Sequence, residues 1–201
     1  FICNLPTHPK IIGVGSFAEY GNYSTPIIEN YIEQPNSLYG LSKLVFKQYS
    51  ELYCKQKNIE WAWIRPCYIY GPNDVKTRLI PTIINKCLKN KNIELDECNV
   101  TIDYLYIEDF VNFIYNLMLY NNNGIYNICS GQQYNLKNII NNIHQLTKSK
   151  SEIIFNIYKN RKNGNNFICG NNTKIKSATG ILNTIDIING LKKTINYVRN
   201  K

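Results

Sequence analysis

Tyr39 and Lys43 stand four residues apart in the stretch "SLYGLSKLVFK" (37–47), where a helical pattern begins. Positions i and i+4 share one helix face, so this phenol and this amine point the same way. An ammonium beside a phenol favours the phenolate and lowers a pKa that starts near about 10. A tyrosine prepared in this way transfers protons near neutral pH. The device also needs a hydroxyl to polarise the substrate oxygen, at the carboxyl end of a neighbouring strand, where open α/β sheets bind ligands. Ser16, which closes the apolar run "KIIGVGS" (10–16), has such a position. Spacing alone does not decide the matter, because Tyr53/Lys57, Tyr158/Lys162 and Tyr197/Lys201 share it. Those three read as solvated helix positions, so any catalytic reading of the first pair rests on its surroundings.

The elements that must hold these groups follow from pattern. Residues 10–16 read as a buried strand of a parallel sheet. From 37 to 57, Leu41, Leu44, Val45, Tyr49, Leu52 and Tyr53 recur at helical spacing, with Ser37 as N-cap after Pro35. "IEWAWIRP" (59–66) reads as a second buried strand, stopped by Pro66. Strand, helix and strand in this order indicate a βαβ unit and an α/β protein. Beyond "YGPND" (70–74) the pattern predicts a helix over 78–89, two short strands within 93–106, an apolar helix over 107–120 and a strand over 124–130. A helix over 135–148, a strand over 151–157 and one or two short helices within 173–198 follow, with the Asn-rich segment 160–172 as a loop.

Composition narrows the function classes. In 201 residues, 44% hydrophobic content with two Trp, seven Phe and 16 Tyr argues against disorder. The net charge of +9 comes from lysines scattered through an Asn- and Ile-rich background, so we read it as compositional and expect no nucleic-acid partner. The densest cluster, "CLKNKN" (87–92), falls at a predicted helix end, where cations are favoured anyway. Seven widely spaced cysteines without a CxxC argue against a disulfide framework and a zinc site, and fit a cytoplasmic protein with no bound metal. No run of 18 apolar residues or signal-peptide pattern is present, so no membrane association is expected.

Several stretches, in order along the chain, resemble the extended short-chain dehydrogenases/reductases, the NAD-dependent epimerase/dehydratase family, and within it the nucleotide-sugar epimerases and ketoreductases. "VGSFAEYG" (14–21) resembles the strand-end segment carrying the catalytic hydroxyl, and "PNSLYGLSK" (35–43) the opening of the catalytic helix. "IRPCYIYGPND" (64–74) resembles the strand and loop beneath the nicotinamide. "RLIP" (78–81), "DYLYIEDFV" (103–111) and "YNICSG" (126–131) match later landmarks. The resemblance implies a cofactor, NAD or NADP, and a nucleotide-sugar substrate. It implies that Tyr39 is the general acid/base, that Lys43 holds the nicotinamide ribose and tunes Tyr39, and that Ser16 bonds the sugar oxygen. It further implies that Pro66 lies against the nicotinamide, Tyr68 faces the sugar and Arg78 reaches the diphosphate.

The resemblance also sets the expected architecture. Residues 1–75 would be the carboxyl-terminal half of a Rossmann-type dinucleotide-binding domain with a partial parallel sheet. Residues 76–201 would be a smaller α/β substrate domain, with parts of 103–130 returning to the first sheet. The glycine-rich phosphate loop is missing, and the glycines of "GVGSFAEYG" do not stand in for it, so we expect a fragment that binds dinucleotide weakly or not at all by itself. Dehydratases of the family carry an Asp-Glu pair where Phe17 and Ala18 stand, so dehydration is not expected. Ile102 replaces an arginine that commonly contacts diphosphate, and Tyr68 replaces a frequent asparagine. The whole enzyme is expected to be a homodimer; the competing expectation is a non-catalytic binding or regulatory module on the same fold.

Overall fold

A computed structural model describes residues 9–119, 122–156 and 166–200. The first βαβ unit runs from β1 (Ile11–Val14) through α1 (Leu38–Lys57) to β2 (Trp61–Pro66). Then come β3 (Tyr68–Tyr70), α2 (Leu79–Leu88), β4 (Ile93–Glu94), β5 (Thr101–Ile102), β6 (Tyr104–Tyr106) and α3 (Ile107–Leu119). The chain continues through β7 (Gly124–Ile128), β8 (Tyr134–Asn135), α4 (Leu136–Thr147), β9 (Ile153–Ile154), β10 (Phe167–Ile168), α5 (Thr173–Thr179) and α6 (Ile187–Arg199).

The main sheet is parallel, in the order β1-β2-β7, with Ile11 opposite Trp61 and Ala62 opposite Gly124. Its central strand β2 is buried from Trp61 to Arg65, which explains its unbroken run of large residues. Because side chains alternate along a strand, Trp61, Trp63 and Arg65 share one face while Ala62 and Ile64 take the other. The tryptophans pack with Cys54 of α1 and with Ile59, and Phe46 meets Trp63 edge-on. Ala62 and Ile64 pack instead with Phe113 and Leu117 of α3 and Ile175 of α5. Two helical layers therefore sandwich this sheet. Beside it, α2, α4 and α6 surround a second core with Ile83, Ile84, Ile140, Ile143 and Leu191 at its centre; each such side chain contributes about 1.5–3 kcal/mol by leaving water.

Three details depart from expectation. The segment 93–106 holds three short strands, because Asp103 separates β5 from β6. Phe167–Ile168, expected in a loop, is a strand that pairs parallel with β5, and β8 pairs antiparallel on its other side. β3, which carries Tyr68, pairs with β6. The strand expected over 151–157 is present as Ile153–Ile154, and residue 157 lies outside the described residues.

Candidate active site

A cleft of about 650 Å³ opens at the carboxyl ends of β1 and β2, a size typical of small-molecule sites. Ser16 and Phe17 from the turn after β1, Tyr39 from the start of α1, and Pro66, Cys67 and Tyr68 after β2 line it. Asp74 and Arg78 before α2, with Tyr104 of β6 and Ile168 of β10, close the far side. Five residues singled out in the sequence, Ser16, Tyr39, Pro66, Tyr68 and Arg78, thus share one space. Lys43 is not among the lining residues; its Nζ lies 5.8 Å from the centre of the Tyr39 ring.

Local chemistry sets each near wall group. Ser16 caps a single 3-10 turn, Phe17–Glu19, and its Oγ accepts a hydrogen bond from the Ala18 amide at 3.1 Å. That bond uses one lone pair, leaving the hydroxyl proton and the other lone pair for the cleft. The Ser16 amide in turn donates to Glu19 Oε1 at 2.8 Å. At the start of α1, Ser37 Oγ accepts from the Gly40 amide at 3.1 Å, so the helix begins where Tyr39 must leave it. Gly40 permits α1 to touch the serine turn: a Cβ there would lie 2.3 Å from the Ala18 carbonyl oxygen. Lys43 reaches over to donate to the Val14 carbonyl at 3.0 Å, tying α1 to the end of β1. Tyr39 is 56% exposed and faces the opening.

Below this wall is a buried ionic chain. Glu19 and Arg65 are both fully buried, and Arg65 Nε donates to Glu19 Oε2 at 2.7 Å. Trp63 Nε1 donates to the same carboxylate at 3.1 Å. Arg65 also pairs with Glu33, which takes a further bond from Lys47 Nζ of α1 at 2.8 Å. Burial pushes the Glu33 carboxyl up, but the bonds and charges of Lys47 and Arg65 together outweigh it and hold the group below its usual range. The Tyr20 ring lies 4.3 Å from the Arg65 guanidinium, and its hydroxyl donates to Asn127 of β7 at 2.8 Å.

The far wall is built otherwise. Tyr68 packs tilted against Tyr104 at 5.6 Å, and Arg78, at the N-cap of α2, pairs with Asp74 at 3.4 Å while most of its side chain stays in solvent. Behind them Asp103, fully buried, accepts from Ser130 N and Oγ at 2.9 and 2.7 Å and from the Gly131 amide at 2.9 Å. Burial raises its pKa, and the bonds from Ser130 and Gly131 offset part of that shift. Asp103 and Asp109, which accepts from the Ile185 amide, therefore hold the fold together. Ile102, where the resemblance would place an arginine, is buried in the second core.

Sequence reasoning missed Asn22, Asn36, Asp74, Tyr104 and Ile168 of the cleft. It also missed the Glu19–Arg65 pair, although Ser16 and Glu19 stand at the S-x-x-E spacing of a capping box. An arginine on the inner face of a buried strand demanded a partner in any case. Among the described residues no cluster suited to a metal ion occurs, the six cysteines are free thiols, and no helix is long and apolar enough to cross a membrane.

Residues 3–129 match the NAD dependent epimerase/dehydratase family. The chain belongs to this family. Members of this epimerase/dehydratase family are enzymes, and curated relatives of two kinds match this one. A protein of Methanocaldococcus jannaschii, provisionally named a UDP-glucose 4-epimerase, is 33% identical over 190 residues, covering 91% of this chain and 60% of its own length. The GDP-6-deoxy-D-mannose reductase of Pseudomonas aeruginosa is 23% identical over 175 residues, covering 82% of this chain and 56% of its own. Among solved structures, the UDP-glucuronic acid 4-epimerase of Bacillus cereus with UDP-glucuronic acid and NAD has the same fold, with a TM-score of 0.86 at 20% identity over 95% of this chain and 62% of that one. The chain thus spans well under two thirds of the length of these curated relatives.

Proposed function

We propose that the chain works in an NAD(P)-dependent nucleotide-sugar 4-epimerase or 4-ketoreductase. The observation that carries this reading is the meeting of Ser16, Tyr39, Pro66, Tyr68 and Arg78 around one cleft, with Lys43 Nζ 5.8 Å from the Tyr39 ring. These residues fit a nicotinamide and a sugar. Pro66 offers backbone contacts to the ring, the Lys43 amine reaches a ribose hydroxyl, and the cleft continues past Ser16 to Tyr68 and Arg78. The nicotinamide, when bound, supplies the place to which and from which hydride moves. Tyr39 takes the proton from the sugar hydroxyl as it becomes a carbonyl, or returns it in the reverse direction, while Ser16 donates a hydrogen bond to the same oxygen. Arg78 holds the diphosphate at the far end; its guanidinium suits paired phosphate oxygens.

The organisation follows the same reading. Residues 9–75 and β7 belong to the dinucleotide-binding half, and most of 76–200 forms the sugar-binding part. The whole enzyme is a homodimer, which the exposed apolar residues Leu41, Val45, Tyr49 and Leu52 on α1 support. Incubating the full-length protein with a UDP-4-keto hexose while following NAD(P)H absorbance tests the reading. Net consumption marks a reductase. Interconversion of a separately supplied UDP-hexose with its 4-epimer, without net change in NAD(P)H, marks an epimerase. Neither outcome with any nucleotide sugar contradicts the proposal.

A further inference from the structure

We propose that the buried ionic chain Glu19–Arg65–Glu33–Lys47 is a positioning device, which fixes the Ser16 hydroxyl relative to the Tyr39/Lys43 face of α1. The inference rests on the function proposed above and adds residues that touch neither sugar nor cofactor.

Its two ends explain the assignment. At one end, the Glu19 carboxylate holds the Ser16 amide at 2.8 Å, so moving that carboxylate moves the serine. At the other, Lys47 lies one helical turn beyond Lys43 and two beyond Tyr39, on the same side of α1. Between them Arg65, fully buried, grips Glu19 through Nε and Glu33 through Nη2, while Glu33 receives Lys47 at 2.8 Å. Arg65 immediately precedes Pro66, so the strand end beneath the cleft is registered by the same chain. Three separate elements that bring chemistry to the cleft thus share one set of alternating charges.

Stability is a poor reason for such an arrangement. Apolar groups of similar volume usually replace a buried ion pair at no loss, because desolvating the charges offsets their attraction. Arg65 even retains a buried Nη1 with no partner among the described residues. What charges provide and apolar contacts lack is direction: each bond fixes an angle as well as a separation. The neighbouring close approach of Gly40 to Ala18 shows how little play remains between turn and helix.

The test perturbs the end remote from Ser16. Glu33→Gln, which keeps the shape, and Lys47→Met are made in the full-length enzyme, alone and with Ser16→Ala, and assayed with a UDP-4-keto hexose and NAD(P)H. Each single variant is expected to lower kcat about 10- to 100-fold with little change in KM, since a displaced catalytic group costs about that much. In the Ser16→Ala background the further loss is expected to shrink to within about twofold, because coupled residues are not additive. Losses that multiply in full with Ser16→Ala overturn the proposal. Unchanged turnover in Ser16→Ala alone overturns the functional reading beneath it, a result distinct from additivity. Amide hydrogen exchange on the present chain gives a readout independent of activity. Faster exchange at Ser16 and Ala18 with an unchanged β2–β7 ladder supports the device; unchanged exchange at Ser16, or loss of protection everywhere in both variants, overturns it.

Discussion

The two walls of the cleft hold their polar groups by different means. The near wall, with Ser16, Tyr39 and Lys43, stands on the carboxyl end of a parallel strand and the first turn of a 20-residue helix. Its buried charges run from element to element through long side chains. The far wall sets Tyr68 and Tyr104 on strands of three residues and Arg78 at the start of α2, and its buried carboxylate Asp103 gathers Ser130 and Gly131 with the thiols of Cys67 and Cys169. One arrangement links elements through a chain of alternating charges; the other gathers them on a single carboxylate. Under the proposed function the near wall makes and breaks bonds, while the far wall, with Tyr68 and Arg78 exposed, serves recognition.

Substitutions on each wall can break that contrast. The largest effect is expected for Tyr39→Phe, which should lower kcat about 10²- to 10⁴-fold, the usual contribution of general acid/base catalysis, while circular dichroism stays unchanged. Next come two glycines that differ only in place. Gly40→Ala puts a Cβ 2.3 Å from the Ala18 carbonyl oxygen, and Gly190→Ala puts one 2.0 Å from the Tyr70 hydroxyl oxygen in the second core. Each should cost about 1–3 kcal/mol in urea unfolding, but only Gly40→Ala should also depress the turnover of folded enzyme. Arg78→Ala should raise KM about tenfold with kcat nearly constant, the effect of losing one charge-assisted contact; a fall in kcat instead would put the far wall into the chemistry.

The smallest effect concerns pH. The Glu33 carboxyl is held below its ordinary value of 4.5 in the fold. Its contribution to stability is complete above that value and fades as pH falls through the lowered one. Denaturant midpoints measured from pH 6 to pH 3, a range about the ordinary carboxylate values, should fall less steeply for Glu33→Gln than for the parent protein. Parallel curves would show that the carboxyl is not held down.

The same contrast explains what the sequence disclosed. α1 and β2 were readable because a long periodic helix and an unbroken apolar strand carry strong signals, and the N-cap Ser37 marked where Tyr39 would emerge. The strands β3, β8 and β10 span two or three residues each, too few for any period, and Phe167–Ile168 follows an Asn-rich stretch that reads as loop. Their pairing depends on partners far along the chain, such as Thr101 opposite both Phe167 and Asn135. The ionic chain was hidden for a similar reason: Glu19, Glu33, Lys47 and Arg65 are ordinary surface residue types, and the covering of β2 on both faces is what encloses Arg65.

The central claim is that Ser16 and Tyr39 converge on one sugar oxygen. A structure of the full-length enzyme with NAD(P) and a nucleotide sugar tests it most directly. We expect both hydroxyl oxygens within about 2.6–3.2 Å of the same sugar oxygen, with the nicotinamide against Pro66. A sugar bound with Ser16 and Tyr39 facing different atoms, or seated away from them, would contradict the account.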